Sequence, residues 1–296
     1  MSSHKAISTA PWTFSSEGDH CLIIRFGDRI DSAINARARQ AAELIHAAGL
    51  PYISDLVPTF TTLGVYLHPF YPTPPGHKAL INTLSALLAP LASHSGEEPH
   101  DQAVTDATRL IRIPVCYDPE LGIDLDSIAA HCNLTVEEVI RLHTTEPVRV
   151  FMLGFAPGMG YMGLSDSRLA IGRRSTPRSR LPAGSVAIAN RQTVIYPNDS
   201  PGGWNIVGAT PLKLFDPTTA PYALYSPGDD VQFESIDREQ YESMLAERKR
   251  LEQDKATEAK DGKAASHTIE NRDDKAAPGA RRNAESRNAD ATKGKR

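Results

Sequence analysis

At 296 residues the chain has room for about two ordinary domains, and with 40% hydrophobic and 23% charged residues it resembles neither a fibre nor a membrane protein. No apolar run approaches the ~18–20 residues of a membrane span, and the first twenty residues hold no apolar stretch behind a basic start, so the expected location is the cytoplasm. Cys21, Cys116 and Cys132 are the only cysteines and form no C-x-x-C pair, which points to neither a disulfide framework nor a thiolate zinc site.

The formal net charge of -4 is unevenly spread. Residues 255–296 carry eleven Lys/Arg against seven Asp/Glu, a surplus of four, which leaves the body near -8. In that tail Ile269 is the one plainly apolar residue larger than Ala. So little apolar surface cannot offset an ordering cost of roughly 1–2 kcal/mol per residue, so the tail is expected to be disordered and solvated rather than to bind nucleic acid.

In chain order, residues 21–27 (CLIIRFG) read as a buried strand. Ile30, Ala33, Ile34, Ala38, Ala41, Leu44, Ile45 and Ala48 then repeat at helical spacing as far as Gly49. Strands are predicted at Ile53–Val57 and Leu63–Leu67, a helix after Pro74-Pro75-Gly76 through Leu80, Leu84, Leu87 and Leu88, and a strand at Leu110–Val115. Together they spell β-α-β-β-α-β, the split βαβ or ferredoxin-like order. Two short helices follow, the second announced by a capping box, Thr135 with Glu138.

Beyond His143 the texture changes to short β runs divided by Gly, Pro, Asn and Asp: Val148–Leu153, Ser185–Ala189, Thr193–Tyr196, Trp204–Val207, Pro211–Phe215 and Val231–Ser235. Such density indicates a sandwich or barrel, closed by a charged helix from Asp237 to about Asp254. The predicted fold class is α+β, with an α/β domain over 14–145, a β-barrel domain over 146–254 and the tail over 255–296.

Gly158-Met159-Gly160-Tyr161-Met162-Gly163 matches G-x-G-x-x-G, yet no helix pattern follows and, after Asp166, the next acid is Asp199. A dinucleotide turn needs both features, so a glycine-rich loop allowing close backbone approach is the better reading. Between Asp166 and Asp199 stand six arginines, Arg168, Arg173, Arg174, Arg178, Arg180 and Arg191, and no acid. They create a positive field suited to a carboxylate or phosphate unless acids elsewhere in the chain neutralise them. Walker-type, G-x-S-x-G and H-E-x-x-H motifs are absent. His131 and His143 lie near the domain junction, where a histidine is usually a packing or hydrogen-bonding residue but can also move protons.

The runs VFMLGFAPGMGYMGL (150–164), TPRSRLPAGSVAIA (176–189), QTVIYP (192–197) and SPGGWNIVGATPLKLFD (200–216) closely resemble the family of 5-oxoprolinase B-type subunits. It is also known as allophanate hydrolase subunit 1, or carboxyltransferase subdomain C/D, and includes kinase-inhibitor relatives. GDHCLIIRFGDRID (18–31) and VPTFTTL (57–63) resemble its first domain.

The resemblance implies a cyclophilin-like barrel and a complex with two further 5-oxoprolinase proteins, one C-like and one LamB/YcsF-like (A-type). It also implies ATP-dependent hydrolysis of the lactam 5-oxo-L-proline to L-glutamate. ATP, with Mg2+, is expected at a site that a partner shares or holds, and no resident metal is expected in this chain. On matching positions His143, Arg178 and Gln192 are the catalytic candidates, and Arg180, Tyr196 and Ser185 the substrate-binding ones. The alternatives are a non-catalytic, protein-binding regulator of the kinase-inhibitor type and a carboxyltransferase-like component of urea or allophanate metabolism.

Overall fold

The computed structural model describes residues 11–71, 75–92 and 109–273. Among the described residues, those up to Arg248 form one compact unit and those from Lys249 onward form a second.

The first layer is a four-stranded antiparallel sheet in the order β1-β2-β4-β3, made of β1 (Thr13–Ser16), β2 (Cys21–Arg25), β3 (Ile53–Pro58) and β4 (Thr62–Leu67). Leu22, Ile24, Leu63, Val65 and Leu67 alternate onto one face and are buried beneath two helices, α1 (Ser32–Ala47) and α2 (His77–Ala92). Helix α1 begins where Asp31 caps it, accepting from the amides of Ala33 and Ile34. It buries Ala38, Ala41 and Ile45 and stops at Gly49, whose φ of +58° carries no side-chain penalty.

The ferredoxin-like order needs one correction. The predicted closing strand, β5 (Leu110–Cys116), is not in this sheet. Its edge place beside β2 is taken by β1, a strand that the sequence pattern did not reveal, joined to β2 by a short antiparallel turn. β5 instead lies between β13 (Asp230–Ile236) and β12 (Asn205–Ala209), parallel to β13 over seven residue pairs from Asp230–Leu110 to Ile236–Cys116. Without β5 the edges of β13 and β12 would stay open, and closure removes both.

The barrel runs β10-β7-β6-β13-β5-β12-β9 and closes on itself, with β6 (Val148–Leu153), β7 (Gly160–Gly163), β9 (Ser185–Ala189) and β10 (Gln192–Ile195). Ile113, Val115, Val150, Met162, Val186, Ile188, Ile195, Val207 and Phe233 share its core. The same core takes Ile128 from α3 (Leu125–Cys132) and Val139 and Leu142 from α4 (Val136–Thr145), so these helices pack with the barrel although they precede residue 146. The capping box that opens α4 is present, with Thr135 and Glu138 bonding reciprocally.

On the outer face, Ala187, Val194, Tyr196 and Ile206 are covered by Met159 and by Leu181 of a two-stranded ribbon, β8 (Arg178–Leu181) with β11 (Ser200–Gly202). Predicted Pro211–Phe215 is not a strand. It makes one isolated bridge, Phe215 to Ala223, while Leu214 drops into the core. Helix α5 runs Arg238–Asp273, so the backbone of residues 255–273 continues it. The remainder of the predicted tail, 274–296, lies outside the described residues.

Asn35, buried in α1, ties the two layers together through Nδ2, which donates to the carbonyls of Thr59 (2.7 Å) and Phe151 (3.1 Å).

Candidate functional site

Gly160–Gly163 of the glycine-rich run form strand β7 rather than opening a helix, which excludes a dinucleotide turn, and the run's glycines serve close packing. A Cβ on Gly160 would lie 2.5 Å from the Tyr225 ring, and one on Gly158 2.8 Å from the Leu214 carbonyl oxygen. Beside this strand Phe60, Tyr161 and Trp204 form an aromatic edge, with ring centroids 6.0 Å apart at each step.

Most of the arginine-rich stretch is neutralised. Asp124, buried ahead of α3, accepts from Arg174 (2.9 Å), bidentately from Arg178 (2.8 and 2.7 Å), and from the Ile206 amide (2.8 Å). Burial alone would raise its carboxyl, but the hydrogen bonds from Arg178 and Ile206 and the charges of Arg178 and Arg174 hold it below the usual carboxylate range. Arg180 pairs with Asp199 at 2.5 Å on the surface, and Arg168 pairs with Asp166 at 2.7 Å. Arg173 is exposed, near Tyr161 and Tyr196.

The remaining predicted residues divide between two places. Ser185 opens β9, and its hydroxyl donates to the Pro182 carbonyl (2.7 Å), a turn-holding role. Tyr196 is buried on the barrel's outer face beneath the ribbon, where its hydroxyl occupies the space a Cβ on Gly202 would need. His143 lies inside the structure at the far end of α4. Its Nδ1 is 2.7 Å from the Tyr117 hydroxyl, its Nε2 is 3.3 Å from Thr193 Oγ1, and its ring stacks on Phe233 at 4.4 Å. Burial pushes its pKa down to about 3, so at neutral pH the ring is uncharged. Gln192 begins β10 opposite Gly163, next to Arg191 in the β9–β10 turn.

His143 and Arg191 therefore meet at one end of the barrel, and a cavity of about 390 Å3 opens there. Its lining includes Arg141, Glu146, Leu164, Ser165, Asp166 and Arg168. Asn190 and Arg191 both take positive φ (50° and 63°), which turns the Arg191 side chain back to donate through Nε to the Ser165 carbonyl (3.0 Å). Arg168 beside it drops the Asp166 carboxyl to about 2.

Arg141, Ser165 and Asp124 were not among the sequence candidates. No motif in the sequence marks them; only the fold shows that Asp124 meets Arg174 and Arg178 and that Arg141 and Ser165 line one cavity. Among the described residues no group of three His, Cys, Asp or Glu side chains could hold a metal ion. Arg174 and Arg178 are both ion-paired to Asp124, and no such group among the described residues could take Mg2+, so the described residues do not fit a triphosphate with its Mg2+. Among the described residues, no helix is long and apolar enough to cross a membrane.

Comparison with known proteins agrees with this architecture. The chain is 36% identical over 241 residues to the Bacillus subtilis protein named as the B-type subunit of 5-oxoprolinase, covering 81% of this chain and 99% of that one. The crystal structure of TTHA0988 matches with a TM-score of 0.61 and 33% identity over 73% of this chain, which spans only 40% of that protein's length. The Kluyveromyces lactis urea carboxylase matches with a TM-score of 0.64 at 18% identity, over 79% of this chain and 22% of that one, a likeness of fold. The family model for the carboxyltransferase domain, subdomain C and D, matches residues 12–225, and the chain belongs to that family.

Proposed function

We propose that this chain is the B-type subunit of an ATP-dependent 5-oxoprolinase, which opens the lactam of 5-oxo-L-proline to L-glutamate. Its partners in this reading are the C-like and the LamB/YcsF-like (A-type) proteins of the same enzyme. The observation that carries the reading is the nearly end-to-end match to the B-type 5-oxoprolinase protein of Bacillus subtilis, 99% of that protein at 36% identity.

The local chemistry supports a component of a complex rather than a self-sufficient hydrolase. His143 is an uncharged ring held by two hydroxyls inside the structure, and Arg178 is committed to Asp124. Neither is poised for proton transfer or for a developing oxyanion. ATP and Mg2+ then belong to a partner, and this chain contributes a binding surface at the Arg191 end of the barrel.

The test is reconstitution. The purified chain, its candidate partners and the mixture are assayed for glutamate formed from 5-oxoproline, with and without ATP. ATP-dependent glutamate from the mixture alone is the expected result. A verified complex that turns over no 5-oxoproline would sink the reading.

A further inference from the structure

The cavity at the Arg191 end of the barrel has three features that converge on one ligand chemistry. The first is an unused hydroxyl. Ser165 is only 6% exposed and its Oγ has no hydrogen-bond partner among the described residues, although its backbone amide and carbonyl are both bonded to Arg191 (2.9 and 3.0 Å). A buried hydroxyl left unpaired costs roughly 1–3 kcal/mol; the Oγ is itself sealed from the cavity, so a ligand acceptor relieves that cost once the Ser165 side chain rotates toward it.

The second is unspent positive charge. Among the described residues neither Arg191 nor Arg141 has a carboxylate within ion-pair distance, whereas Arg168, on the same cavity, is bound to Asp166. The three arginines face two acids, Glu146 and Asp166, leaving a surplus of one positive charge. That surplus matches a monoanion; a triphosphate would meet too little charge.

The third is size and lining. About 390 Å3 lies within the range of small-molecule sites, and Leu142, Val148 and Leu164 supply apolar wall between the charged groups.

We propose that this cavity binds a small cyclic monocarboxylate. Its carboxylate lies against the Arg191 guanidinium, with the Ser165 hydroxyl rotating from its sealed position to donate to it and Arg141 at the rim. Its ring rests against Leu164, and Glu146 stands at the mouth as acceptor for a ring N–H. The choice of a lactam carboxylate as ligand rests on the 5-oxoprolinase reading above; the monoanion preference rests on the cavity alone.

The test is calorimetric titration of the full chain with 5-oxoproline, with 2-pyrrolidinone (the same ring without its carboxylate), and with proline and tetrahydrofuran-2-carboxylate. Saturable binding of 5-oxoproline is expected, with pyrrolidinone weaker by about tenfold or more, as loss of a charge-assisted contact implies. Arg191→Ala should weaken binding about tenfold and Ser165→Ala about threefold or more. Arg141→Ala, on the exposed side of α4, gives a second readout that does not disturb the β9–β10 turn. A single cooperative thermal transition, with a stability loss of no more than about 1 kcal/mol, confirms that each variant is folded.

Binding that ignores Arg191→Ala and Arg141→Ala alike, or no binding of any carboxylate, overturns the proposal. Arg191-dependent binding of the other ring carboxylates but not of 5-oxoproline keeps the monocarboxylate site and removes the lactam from it. A reconstituted complex that turns over 5-oxoproline equally well with Arg191→Ala and Arg141→Ala keeps the 5-oxoprolinase reading and removes the site.

Discussion

Two sets of arginines stand in the same barrel domain with opposite fates. Arg174 and Arg178 converge on the buried carboxylate of Asp124, more than fifty positions upstream of Arg178, and join the start of α3 to the ribbon and to β12. Arg141 and Arg191 line the cavity beside Ser165, where among the described residues neither has a carboxylate within ion-pair distance. The side chains are chemically identical. What separates a structural guanidinium from one available to a ligand is whether a distant acid has been delivered to it.

Asp124→Ala tests the structural side most severely. It strips two part-buried guanidiniums of their counter-charge and leaves the Ile206 amide unpaired, so a loss of about 3–5 kcal/mol in urea unfolding is expected. A loss below about 1 kcal/mol would mean that the node holds little together.

His143→Phe comes next. The hydroxyls of Tyr117 and Thr193 lose their buried partner, and about 1–3 kcal/mol should disappear at pH 7. The pH dependence sharpens this test. The histidine's folded pKa of about 3 lies below its unfolded value near 6.5, so the unfolded state takes up the proton first. Its contribution is full above pH 6.5 and drains as pH falls toward 3, a slope that His143→Phe should flatten. Asp124, also depressed, adds its own loss only below about pH 4, as its carboxyl protonates.

Arg178→Ala should cost about 1–3 kcal/mol, because Asp124 keeps Arg174 and the Ile206 amide. Arg191→Ala, which gives up a single hydrogen bond to a carbonyl, should cost about 1 kcal/mol or less. Equal losses in chemical denaturation would erase the contrast between the two sets. The smallest effect belongs to Arg180→Ala, whose pair with Asp199 is 78% and 46% exposed, and a change within about 0.5 kcal/mol is expected.

Local signals in the chain were legible wherever the physics was local. The α1 apolar spacing, the Thr135–Glu138 capping box and the runs at Val148–Leu153 and Ser185–Ala189 all have their counterparts in the structure. β5 was legible as a strand but not as a barrel strand, since its alternation fits either sheet and only its partners β13 and β12 decide. β7 was hidden because Gly160 and Gly163 carry no side chain to mark a strand, and they are glycine because Tyr225 and the Arg191 carbonyl lie where a Cβ would point.

The candidate site shows the same division. The arginine-rich stretch was visible as a positive run, yet four of its members, Arg168, Arg174, Arg178 and Arg180, are ion-paired in the structure. Ser165 carried no signal, because an orphan hydroxyl exists only once everything around it has been buried.

By itself the sequence determined the strand and helix inventory in outline, the change of texture near residue 145, and the family. Those depend on periodicity, capping and motif order, which are properties of neighbouring residues. Tertiary structure alone decided which sheet received β5, which arginines met Asp124, and which charged groups came to line a cavity. Each of those depends on contacts between residues far apart in the chain, and no local pattern encodes the distance between two side chains until the backbone has closed around them.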